Sequence, residues 1–142
     1  MESSVELDKF FVNIRKSFLR FNEIIKYVNF NEYDGHIWGE DKRSRIIDSI
    51  LSNIPIPSVY MDGSNKGWII LNGYNRLYSI LSFMNDEYPL QGMNFMKELN
   101  GLRYSEIPFR LRYNIEFVLI EANILNPGIR EHEKKVIYDY IK

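Results

Sequence analysis

The chain has 142 residues, a formal net charge of −1, two histidines and no cysteine. That length suits one domain of ordinary size, and the missing cysteine excludes disulfides, thiolate nucleophiles, iron–sulfur clusters and cysteine-ligated zinc. Eighteen basic residues balanced by nineteen acidic ones argue against a wholly basic nucleic-acid binder, and an aromatic content of 15% argues against disorder.

Met1 to Lys9 lacks the basic start and apolar core of a signal peptide. No apolar run approaches the ~18–20 residues of a membrane span. The expected location is the cytoplasm, with no membrane partner. Residues 5–27 are expected to form a helix, because Leu7, Phe10, Phe11, Ile14, Phe18, Phe21 and Ile25 recur at spacings of three and four. A polar and aromatic loop follows, from Asn29 to Gly39. A second helix is expected from Asp41, its N-cap, with Ile46, Ile47, Ile50 and Leu51 as its apolar stripe. Pro55 and Pro57 end it and lead into a hairpin, with strands at Ser58 to Met61 and Trp68 to Leu71 around an Asp-Gly-Ser-Asn-Lys-Gly turn. A third helix carries Leu77, Ile80, Leu81 and Met84. A short helix spans Asn94 to Leu99, and another starts at Ser105 and runs to about Asn114, with Pro108 in its first turn. Ile115 to Glu121 reads as a strand and Arg130 to Lys142 as a terminal helix, whose Val136, Ile137, Tyr140 and Ile141 need a surface to pack on.

Chemistry is most plausible at Ile69-Ile70-Leu71-Asn72-Gly73-Tyr74-Asn75-Arg76. There an apolar strand runs through a glycine turn into a helix. A helix start offers unpaired N–H groups and partial positive charge, glycine admits a close ligand, and an arginine can fork onto phosphate. Local physics alone favours a plain strand-to-helix turn with Arg76 solvated, because short glycine turns are common. A second group, Lys42, Arg43 and Arg45, sits at a helix start and reads either as a phosphate or DNA contact or as a solvated face; Arg103, Arg110 and Arg112 are candidates to extend it. Arg45 has a further reading as an internal partner beside Ile46. His36 and His132 lie far apart in sequence and form no metal-ligand spacing, so no metal site is expected. Trp38 and Trp68 read as core or sheet-edge anchors.

Three ordered strings resemble one family. Lys42-Arg43-Ser44-Arg45-Ile46-Ile47-Asp48-Ser49-Ile50-Leu51 with Ile54-Pro55-Ile56-Pro57 is similar to its "KSRLIESLL…IPIP" signature. The turn at Gly73 stands in the place of its "VDGQQRLTAL". Leu99-Asn100-Gly101-Leu102-Arg103-Tyr104-Ser105-Glu106-Ile107-Pro108 is similar to its "LNGKKFSDLP". The family is the GmrSD-like, ParB/sulfiredoxin-superfold domain of bacterial restriction and phage-defence proteins, and the resemblance covers about residues 28–142. It implies an α+β fold, a small mixed sheet with surrounding helices, that binds an NTP with Mg²⁺ at the DGQQR-like loop and controls DNA cleavage by a downstream or partner nuclease. Gly73, Arg76 and Leu77 match the motif. Asn72 replaces its Asp, and Tyr74 and Asn75 replace its two Gln. Tyr33 and Asp34 stand near Trp38 where the family has a Gln-Arg pair.

The expectation is therefore one ParB-like domain over residues 1–142, either standing alone or cut from a larger protein. It binds nucleotide through Asn72, Gly73, Tyr74, Asn75 and Arg76, with Tyr74 available to stack on a base. Hydrolysis is weak, because an amide serves poorly as a base or metal ligand. The alternative is a non-catalytic ParB-like DNA-binding or protein-interaction module. An active NTPase or endonuclease would need a carboxylate near Arg76, brought by folding from Asp34, Asp41, Asp48 or Asp62.

Overall fold

Residues 119–125 hold the sheet together. In the computed structural model, which describes residues 14–64 and 66–141, this strand pairs on both sides. The strands are β1 (Ile14–Arg20), β2 (Val59–Asp62), β3 (Ile69–Asn72) and β4 (Leu119–Leu125), in the order β1-β4-β2-β3. β1 runs antiparallel to β4, β2 parallel to β4, and β3 antiparallel to β2. Five helices complete the α+β fold: α1 (Phe21–Tyr27), α2 (Glu40–Leu51), α3 (Tyr74–Met84), α4 (Phe109–Glu116) and α5 (Glu131–Ile141). None is long and apolar enough to cross a membrane.

The alternation of the strands sorts their faces. Val59, Met61, Ile120, Ala122 and Ile124 meet Phe21, Ile24, Ile47, Ile50, Leu77, Ile80 and Ile115 in one core. Burying such side chains is the main term favouring the fold. The opposite face carries Asp62, Asn123 and Leu125 and takes α5 on the β2–β3 side.

The first helix is shorter than expected. Residues 5–13 lie outside the described residues, and 14–20 form a strand, not a helix. Pairing of all seven residues with β4 overrides the helical spacing. Ile14 and Phe18, which made that spacing persuasive, face outward and are 39% and 64% exposed. α2 starts one residue early, with Gly39 and not Asp41 at its N-cap. The helix expected from Ser105 is broken: a 3₁₀ turn covers Tyr104–Glu106, Ile107 is extended, and α4 begins after Pro108. Proline forces the residue before it out of helical geometry. Ile115 belongs to α4, so the last strand lies four residues later than expected, at Leu119–Leu125.

Two carboxylates hold the periphery. Asp48, buried on α2, accepts from the backbone N–H groups of Asn94, Phe95 and Met96 at 2.7, 3.1 and 3.0 Å. Asp62, at the end of β2, accepts from Ser64 N, Ser64 Oγ and Tyr138 Oη, and pairs with Lys134 Nζ at 3.4 Å. These last two contacts hold α5, none of whose residues is fully buried. Val136 and Tyr140 of the expected apolar stripe are 52% and 85% exposed.

Asp48→Ala strands three N–H donors and should lower unfolding free energy by about 3 kcal/mol in urea denaturation. Burial alone would raise the Asp62 carboxyl, but hydrogen bonds from Ser64 and Tyr138 and the Lys134 charge together hold it below its usual 3.8. A carboxyl depressed in the folded state stabilises fully above its unfolded value, and that contribution is lost as the pH falls through the folded one. The stability gap between wild type and Asp62→Asn should therefore be full at neutral pH and shrink as the pH is taken below 3.8.

Candidate functional site

β3 ends at Asn72, and the chain must turn at once to begin α3. Gly73 makes that turn with φ +99°, a left-handed conformation that side chains disfavour. Space demands glycine as well: a Cβ there would lie 2.6 Å from Val59 Cγ1 and 2.9 Å from Arg76 Nη2. Lacking a side chain, Gly73 cannot cap α3, and among the described residues no side-chain cap is present. The first helical bond runs from Leu77 N to Gly73 O. The N–H groups of Tyr74, Asn75 and Arg76 precede it, at the positive end of the helix.

This uncapped turn opens onto a cavity of about 260 Å³, lined by Tyr33, Trp38, Ile70, Leu71, Asn72, Gly73, Tyr74, Asn75 and Arg76. All five motif residues, 72–76, thus line one space. Arg76 is the cation in this lining. Its Nη2 donates to Ser58 O at 2.8 Å and to Asn72 Oδ1 at 3.2 Å, while its buried Nε has no partner. Burial lowers the pKa of the guanidinium, which nonetheless stays charged at any ordinary pH. Asn72 uses both ends of its amide, accepting from Arg76 and donating through Nδ2 to Ile141 O at 2.7 Å.

Tyr74 and Asn75 hold the loop before α2. Tyr74 Oη donates to Phe30 O at 3.0 Å. Asn75 Nδ2 donates to His36 O at 2.8 Å and to Tyr33 Oη at 3.3 Å, and its Oδ1 accepts from Trp38 N at 2.9 Å. The Tyr74 ring stacks with Tyr33 at 3.8 Å between centroids and 8° between planes, and with Tyr78 at 5.5 Å and 17°. The ring expected to receive a base is thus engaged by the protein's own rings. Burial, then the neighbouring Tyr78 and Tyr33, push the Tyr74 hydroxyl above its usual pKa. In the same loop Gly35 lies against Tyr33, and a Cβ there would run into the Tyr33 ring.

The basic group at α2 does not converge. Arg43, not Arg45, turns inward: its Nη1 donates to Ser82 Oγ at 3.1 Å, and its guanidinium lies 4.4 Å from the centre of the Tyr88 ring. Helical phase explains this, because Arg43 shares a face with Ile47 and Ile50. Arg45 is exposed, and Lys42 places Nζ 4.3 Å over the Trp38 ring. Arg103 donates to Asp86 O, and Arg112 lies over Phe109. Asp48 and Asp62 are committed to the contacts described above, and neither Asp34 nor Asp41 lines the cavity. Among the described residues no group of three or more His, Cys, Asp or Glu could hold a metal ion.

Tyr33 and Trp38 were not expected at the site. Their only signal was their place near the departed Gln-Arg position of the family pattern. Trp68 is an anchor: it stacks on Tyr27 at 5.0 Å, and its backbone bonds Tyr27 and Asn29. No protein-family model, curated protein or solved structure matches the chain.

Gly73→Ala combines a disfavoured φ with a clash on fully buried Val59. It should cost about 3 kcal/mol, visible as a lowered midpoint in thermal or urea unfolding.

Proposed function

We propose that this chain is a nucleotide-binding domain of the restriction and phage-defence type, in which the turn at Gly73 takes the phosphate end of an NTP and the bound state controls an associated DNA-directed activity. One observation carries this: a cavity whose floor is the uncapped first turn of α3, with the Arg76 guanidinium beside it and a buried Nε left unpaired. Backbone N–H groups at a helix start, together with an arginine, form a site for anions. Membership of the GmrSD-like, ParB/sulfiredoxin-superfold group belongs to the same proposal and rests on the three sequence strings.

Size and lining narrow the ligand. About 260 Å³ falls just below the roughly 300–1,000 Å³ of pockets that enclose a drug-sized molecule. It suits a di- or triphosphate end, with the remainder of the nucleotide lying against the aromatic rim of Tyr33 and Trp38 rather than on Tyr74. The donor set fits the phosphate and does not fit a divalent cation, since no Asp or Glu lines the cavity. Mg²⁺ would arrive on the phosphates alone. With neither carboxylate nor imidazole in the lining to activate water, the site binds and does not hydrolyse. DNA gains no comparable support, because Arg43 is withdrawn from the surface group.

Isothermal titration of the purified chain with pyrophosphate, ATP and GTP tests this. Binding is expected without turnover. Arg76→Ala should weaken it at least about 10-fold, the ~1.4 kcal/mol or more of a charge-assisted contact, with circular dichroism confirming the fold. Arg45→Ala, an exposed cation outside the cavity, should leave affinity unchanged. No binding by the wild type, or equal losses in the two variants, would refute the assignment.

A further inference from the structure

Asn72 joins two parts of the molecule that nothing in the sequence connects. On one side is Arg76, 3.2 Å from its Oδ1; on the other is the carbonyl of Ile141, in the last turn of α5, 2.7 Å from its Nδ2. The arginine of the cavity and the end of the final helix therefore share one side-chain amide. α5 is suited to respond. It has no fully buried residue, and it is held by that bond together with the contacts of Tyr138 and Lys134 to Asp62. An element with few buried apolar contacts opens at low free energy.

We infer that Asn72 couples anion binding at the Gly73 turn to the docking of α5, an inference that rests on the anion-binding reading above. An anion at the first turn of α3 draws the Arg76 guanidinium toward itself and off Asn72 Oδ1. The Asn72 amide then loses the partner that orients it, and its bond to Ile141 weakens. The residue type fits this role. An aspartate at position 72 would accept from Arg76 more strongly, but it has no hydrogen to give the Ile141 carbonyl and would face it oxygen to oxygen. The exchange of Asp for Asn relative to the family string thus replaces a group suited to metal or base chemistry with one that can bridge. Coupling of this kind is reciprocal: the factor by which the anion favours the undocked helix is the factor by which the undocked state binds the anion more tightly.

The experiment uses the full chain and inorganic pyrophosphate, reading hydrogen exchange of the α5 amides and calorimetric affinity together. Saturating pyrophosphate should speed exchange in α5 by about 5-fold or more, the lower end of ordinary allosteric couplings. Tyr138→Phe, which loosens α5 at Asp62 without touching the cavity, should bind pyrophosphate no weaker than the wild type, and tighter by at most about that factor. Asn72→Asp keeps the acceptor for Arg76 and loses the donor, so its α5 should exchange fast with or without ligand. Adding Tyr138→Phe to it should then leave affinity unchanged. Pyrophosphate binding with unchanged or slowed α5 exchange, or a Tyr138→Phe affinity weaker than wild type, overturns the coupling and leaves the anion site standing. Slow α5 exchange in ligand-free Asn72→Asp overturns the bridge itself. Failure of the wild type to bind pyrophosphate overturns the anion-binding reading, and the coupling with it.

Discussion

Arg76 carries a positive charge to the end of a small sheet and is held half-buried there by two oxygens, one from the backbone before β2 and one from the last residue of β3. Desolvating a guanidinium is costly, and oxygens at hydrogen-bond distance are what make it tolerable. The position of the charge sets the rest of the site. Gly73 must be glycine so that Arg76 and Val59 can close beneath the turn. With glycine there, α3 begins uncapped. Asn72 is oriented by the same guanidinium, and through Asn72 so is the last turn of α5. A neutral residue at 76 would leave Asn72 Oδ1 without its donor, while the left-handed turn and the closeness of Val59 would still require glycine at 73.

The aromatic strap solves a different problem. A loop of some ten residues before α2 has many backbone polar groups to satisfy, and unpaired ones are expensive wherever water is excluded. Asn75 takes the backbone groups of His36 and Trp38 with one side chain, and Tyr74 takes that of Phe30. Stacking of Tyr33, Tyr74 and Tyr78 adds a continuous apolar rib, and aromatic pairs of this kind contribute about 0.5–1.5 kcal/mol each beyond their buried area. Tyr74 and Asn75 thus have structural employment. Their side chains are spent on the protein itself, which leaves ligand recognition to the helix start and Arg76.

How legible all this was depends on how local each cause is. The hairpin of β2 and β3, the turn at Gly73 and the start of α3 were readable, because prolines, glycines and short apolar runs act through neighbouring residues. β1 was not, since residues 14–20 carry a helical spacing, and only the pairing with β4, about a hundred residues away, makes them a strand. β4 was placed four residues early because Ile115 looks like a strand residue until α4 claims it for the core. Among the site residues, 72–76 were readable from their junction. Tyr33 and Trp38 reach it through a loop whose path no spacing rule predicts. The engagement of Asp62 with Lys134 and Tyr138 joins residues more than seventy apart, and the i, i+4 placement of the latter two says only that they share a helix face.

The same reasoning bears on why α5 is docked through polar groups. A helix that covered the sheet with its apolar stripe would add burial at roughly 25 cal/mol per Å² and would be hard to move. Here Val136 and Tyr140 face out, Ile137 and Ile141 are only half-buried, and the polar contacts that hold the helix include Tyr138 and Lys134 on Asp62 and the Ile141 carbonyl on Asn72. Net contributions of such bonds are about 1 kcal/mol each, somewhat more where a charge takes part. The docking free energy of α5 is then a few kcal/mol, the same order as the differential affinity a small anion can supply between two states. Because one of these polar holding points is an amide that also touches the cavity's arginine, a ligand acting on Arg76 alone already reaches part of what keeps the helix in place.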